Sequence, residues 1–218
     1  VLDFSIISPT CAGVALYKRF NSGVDEHFID FTNPLISTLF LSDEQFIKFC
    51  ENYDYYIGLT PIFGKGTDGK IQERLRDTGK GYYGGGQYVL IMLDDIEIHC
   101  IHEPLGSEAL VLRKWKGRIK NGEGLRRFFI MAESDFLTLH GEDERRSLVD
   151  RFLRLPGYSI FLTQRAAEEG GGNDYFCKFM PKWEGRSQFE RDNIFALKWN
   201  NHDEIADALK LIIDSVRV

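Results

Sequence analysis

Cysteine is scarce and scattered in this 218-residue sequence: Cys11, Cys50, Cys100 and Cys177 stand far apart and form no C-x-x-C pair. A zinc ribbon or a dithiol redox site needs thiols paired at short spacing, so neither is indicated. The four read as buried free thiols in a reducing compartment, and a cytoplasmic location is expected. No apolar run reaches the roughly 18 residues that a membrane-spanning helix needs. The first residues also lack a basic stretch followed by an apolar run and a cleavage site. Neither a transmembrane segment nor a secretion signal is therefore expected. Basic charge is in deficit as well, with a net charge of −6 and a pI near 5.4. Nothing then supplies the excess cationic field behind generic nucleic-acid binding, and no nucleic-acid partner is expected. Lys65-Gly66-Thr67 and Gly79-Lys80-Gly81 contain phosphate-loop residues, but the full G-x-x-x-x-G-K-[ST] spacing is missing. G-x-S-x-G is missing too, so a serine hydrolase has no positive signal.

What the chain does have is apolar and aromatic bulk: 43% hydrophobic and 13% aromatic residues, with 17 Phe and 9 Tyr. One domain of this length buries roughly 70% of its unfolded surface, enough for a large core in which aromatic burial dominates. Phe4 to Ile7 reads as a short strand. Ser8-Pro9-Thr10 turns from it into a helix carrying Val14, Leu16, Tyr17 and Phe20. Ser42-Asp43-Glu44-Gln45 is a capping box, opening a helix with Phe46, Ile47, Phe49 and Cys50 on its inner face. Residues 58–87 hold eight glycines after Gly58 itself and little periodicity. They read as a long loop or lid with a short helical patch at Ile71 to Leu75.

Beyond that loop, Tyr88 to Leu93 and Ile96 to Ile101 are strand-like. Ser107 opens a helix through Lys120 with Val111, Leu112, Trp115 and Ile119 on one face. Arg127 to Ala132 and Ser159 to Thr163 read as strands around a helix carrying Leu148, Val149, Phe152 and Leu153. A last strand at Ile194 to Lys198 precedes a helix from Asn201 to Val216. Strands alternating with helices predict one α/β domain over 1–218, a mixed central sheet flanked by helices.

Ionisable residues gather at one place. Asp94-Asp95 falls at the turn between two strands, and period-two alternation puts Asp95, Glu97 and His99 on one face of the second. Asp and Glu are depleted from strands, and clustered like charges repel unless a cation relieves them. Carboxylates with an imidazole suit Mn²⁺ or Mg²⁺, which makes Asp94, Asp95 and His99 candidate metal ligands. Asp95 and Glu97 are candidate catalytic carboxylates. His102, three residues on, is a weaker member. The plainer reading is a solvated strand face. In the following helix, Lys114 and Arg118 at i and i+4 are candidates to hold a diphosphate, against a plainer role in pairing with the acidic strand. Ser8, Pro9 and Thr10 precede a helix whose free amides suit a phosphate or a base. Asn33-Pro34 reads first as a turn.

Phe4-Ser5-Ile6-Ile7-Ser8, Asn33-Pro34-Leu35-Ile36, Phe46-Ile47-Lys48-Phe49, Asp95-Ile96-Glu97-Ile98-His99 and Lys114-Trp115 resemble, in order and spacing over most of the chain, a family of bacterial proteins of exopolysaccharide biosynthesis. More loosely, the chain is similar to the N-terminal glycosyltransferase domain of a chlorella-virus enzyme that builds capsid glycans. The resemblance implies the nucleotide-sugar-binding fold called GT-A, with a carboxylate motif near a divalent ion. Asp95 is the residue that best matches that motif, although Asp-Asp-Ile-Glu replaces the usual Asp-any-Asp. Ser8, Pro9 and Thr10 would correspond to the loop that meets the nucleotide. The expected activity is transfer of a sugar from a nucleoside diphosphate sugar donor to a glycan acceptor. Alternatives are a metal-dependent hydrolase or phosphotransferase on Asp95, Glu97, His99 and His102, or a non-catalytic partner in glycan assembly.

Overall fold

A computed structural model of the chain describes residues 4–9, 32, 34–35, 38–67, 69, 86–132, 141–162 and 176–177. Four strands form a parallel sheet: β1 (Phe4–Ile7), β5 (Arg126–Ala132), β6 (Tyr158–Leu162) and β7 (Phe176–Cys177), in the order β1-β5-β6-β7. Their inner stretches, such as Phe128 to Met131 and Ile160-Phe161, are apolar without alternation because both faces of a parallel sheet are covered. Parallel neighbours require a crossover, and α4 (Glu142–Leu153) supplies it between β5 and β6. It buries Leu148, Val149, Phe152 and Leu153, the face its sequence spacing predicts. Ser5, polar in this apolar strand, is satisfied: its hydroxyl donates to Thr32 O at 3.0 Å, and the Thr32 hydroxyl donates back to Phe4 O at 3.3 Å.

The remaining described strands, β2 (Ile62–Thr67), β3 (Gln87–Leu93) and β4 (Ile96–Pro104), form a separate antiparallel sheet in that order. The expected single mixed sheet is thus two sheets. With no helix between β3 and β4, a two-residue loop permits only antiparallel pairing. Asp94, first residue of that loop, takes φ 55°, the positive value that tight hairpin turns need at this position. The two sheets are tied through residues 38–40. Leu39 exchanges both backbone bonds with His99 at 2.9 Å on the edge of β4, and Phe40 N donates to Pro9 O at 3.0 Å beyond the end of β1.

Two further helices, α1 (Asp43–Glu51) and α2 (Tyr53–Gly58), pack against this junction, and α3 (Glu108–Gly122) follows β4. The Ser42 hydroxyl caps α1 by accepting from Gln45 N, and Phe46, Ile47, Phe49 and Cys50 are fully buried as their spacing predicts. Aromatic rings link the layers: Phe46 meets Phe40 edge-on at 5.4 Å and Phe152 at 6.3 Å, and Phe49 stacks on Tyr56 at 5.6 Å.

The loop expected over 58–87 needs correction at its start. Gly58 closes α2, and residues 62–67 form strand β2. Glycine has poor strand propensity, which hides the strand, yet here Gly66 makes room for the Tyr88 ring opposite it in register. A Cβ on Gly66 would sit 2.0–2.7 Å from three Tyr88 ring atoms, and Tyr88 is buried. Gly66→Ala is therefore expected to destabilise the fold by about 1–3 kcal/mol, although alanine otherwise suits a strand better than glycine. A urea titration at unchanged slope checks this, and an unchanged or raised midpoint would refute it. The helical patch at 71–75, the helix after Thr10, and the strand and helix expected over 194–216 lie outside the described residues.

Candidate functional site

The β3–β4 turn is held by side chains from both α1 and α2. Lys48 of α1 pairs with the Asp95 carboxylate, and the Tyr56 hydroxyl of α2 donates to its other oxygen at 2.9 Å. The Tyr55 hydroxyl donates to Asp94 at 3.3 Å, and Gln45 Oε1 accepts from Glu97 N at 3.5 Å. These contacts have electrostatic consequences. The Lys48 ammonium first, then the Tyr56 hydroxyl, hold the Asp95 carboxyl below its ordinary range, and Asp95 in turn raises Lys48. Burial of the ring, followed by the bond to Asp95, pushes Tyr56 up to about 12, so it is a donor at neutral pH. Because the Asp95 pKa is lowered on folding, its contribution to stability is present above the ordinary carboxylate range and is lost as pH falls through the lowered value. Tyr56→Phe removes one of the two donors. The Asp95 carboxyl resonance, followed by NMR, is then expected to titrate at higher pH than in the parent protein, and identical titrations would remove Tyr56 from this role.

Asp94 differs from its neighbour in what holds it. Both carboxylates are exposed, but Asp94 accepts from Tyr55, whose ring on α2 is itself 54% exposed. The tip thus offers a fixed carboxylate, a freer carboxylate and an open aromatic face on one rigid support.

Glu97 and His99 do share a face, with Glu97 Oε2 3.7 Å from His99 Nε2, but the strand carries His99 inward while the Glu97 side chain stays 40% exposed. His99 is fully enclosed, and its Nδ1 lies 2.9 Å from the Tyr88 hydroxyl. That hydroxyl also donates to Thr67 O at 3.2 Å; having one proton, it then accepts from Nδ1–H. His102 is exposed. The register slips between Tyr88, opposite Pro104, and Val89, opposite Cys100, so β4 bulges over residues 101–103 and the period-two expectation ends there.

Among the described residues, no group of three His, Cys, Asp or Glu side chains is placed to hold a metal ion. Asp94, Asp95 and His99 do not converge: Asp95 is taken by Lys48 and Tyr56, and His99 is shut in beneath. This arrangement does not fit Mn²⁺ or Mg²⁺.

Lys114 and Arg118 also turn inward. Lys114 pairs with Glu103 at 2.5 Å, both side chains being less than one-fifth exposed, and Arg118 is 5% exposed. The cavity beside them is about 20 Å³, room for about one water and far too small for a diphosphate. Burial lowers the Arg118 guanidinium to about 10, against the raising influence of Glu103. It therefore stays charged at neutral pH. Ser8 and Pro9 are buried, and Thr10 lies outside the described residues. Cys50 and Cys100 are the buried free thiols expected; burial pushes Cys50 well up and Cys100 to about 12. Of the groups at the tip, Tyr55 and Tyr56 are not marked by any sequence motif, and Lys48 stands out only within the Phe46-Ile47-Lys48-Phe49 segment, with no site role attached. Their only signal is an unusual density of tyrosine and acidic residues just after α1, and nothing local couples them to Asp94 and Asp95 some 40 positions on.

No curated protein and no solved structure matches the chain. The sequence model of one family, described as "Domain of unknown function (DUF1919)", matches residues 1–157, which span β1 to the end of α4 and include the whole hairpin tip. The chain belongs to the DUF1919 family.

Proposed function

We propose that the protein is a glycosyltransferase that moves a sugar from a nucleoside diphosphate sugar to a glycan hydroxyl in the cytoplasm. The observation that carries this reading is the pairing of the exposed Tyr55 ring with the Asp94 carboxylate. A pyranose has an apolar C–H face and a rim of hydroxyls. An aromatic face takes the first and a carboxylate accepts from the second. Asp94 would accept the proton of the attacking hydroxyl while that oxygen bonds to the anomeric carbon and the nucleoside diphosphate departs with the electron pair of the broken bond. Asp95, committed to Lys48 and Tyr56, positions the turn and does not touch substrate. Lys114 and Arg118 have no part in holding the diphosphate, because both face Glu103. A parallel sheet with a helical crossover between β5 and β6 supports a nucleotide-sugar-binding fold of the GT-A kind, as does the resemblance to exopolysaccharide-biosynthesis proteins.

A panel of nucleoside diphosphate sugars tests the reading. A donor at a hundredfold excess over its Kd raises stability by about 2.7 kcal/mol, roughly 5–11 °C for a domain of this size. One member of the panel is expected to give this shift and, without an acceptor, to release nucleoside diphosphate slowly. Cleavage of simple phosphoesters without such a shift would favour a hydrolase. A silent panel would sink the proposal.

A further inference from the structure

We draw no further inference here: the strongest candidate, the outer edge of strand β2 with Ile62 64% exposed at its start, carries none because nothing in the structure shows what covers it.

Discussion

Glu103→Gln is expected to lower the stability of the fold by about 3 kcal/mol, near the lower end of the roughly 3–5 kcal/mol lost when one partner of a buried ion pair is removed. Glu103 is the anion that faces both Lys114 and Arg118, as a direct partner of the first and a Coulombic partner of the second. Lys114 reaches from a partly exposed position and can turn toward water, which limits the loss. Arg118 is 5% exposed and cannot follow without unpacking α3. Its guanidinium is already disfavoured by burial, so losing Glu103 lowers its pKa further below the unfolded value. A base whose pKa is depressed on folding makes the unfolded chain the better proton binder, so the deficit of the variant should shrink as pH rises toward 10 and beyond. The expected fall in Tm is roughly 6–12 °C for a domain of this size.

A second variant separates the loss of Glu103's compensating charge from mere disturbance of packing. Arg118→Met has similar volume and no charge, and in the Glu103→Gln background it is expected to recover most of the loss, because an apolar replacement for a buried ion pair is often neutral or stabilising. If the double variant is the sum of its singles, the two residues do not interact and the electrostatic account fails.

This cluster also shows what was legible in the sequence and what was not. Val111, Trp115 and Arg118 lie at i, i+4 and i+7, the spacing of one buried helical stripe, so the inward position of Arg118 was written in the pattern. Its charge alone points to a ligand contact, and its place in the stripe outweighs that signal. The capping box at Ser42, the inner face of α1, the β3–β4 hairpin and the buried face of α4 were all readable because each depends on residues within a few positions of one another. Strand β2 was not, because the glycines that lower its propensity are required by Tyr88, about 20 residues away and visible only once the strands pair. The bulge over 101–103 is likewise a property of pairing; strict alternation already sets His102, three residues on, on the opposite face from His99, and the bulge ends that alternation. At the tip, the acidic pair was legible and its partners were not. Lys48 and Tyr56 reach Asp95 across 47 and 39 positions, and that contact decides which aspartate is free to act.

Asp94→Asn therefore carries the sharpest functional prediction. If Asp94 takes the acceptor proton, its amide replacement should lower kcat by about 10²–10³-fold, the usual scale for a positioned general base. The thermal midpoint should stay where it was, because Asp94 is exposed and its contact with Tyr55 is a surface one. Asp95→Asn should behave differently. It removes the charge that Lys48 pairs with, loosens the tip and lowers activity less, with rescue of the tip geometry by restoring a carboxylate in Asp95→Glu. Tyr55→Ala should raise KM for the acceptor by several-fold and leave kcat nearly unchanged, since an aromatic face that holds the sugar before and during transfer contributes equally to both states. The three variants form one test. A larger loss in Asp95→Asn than in Asp94→Asn would exchange the roles of the two aspartates, and three variants with full activity would mean that the tip is a structural clasp between the hairpin and the α1–α2 pair.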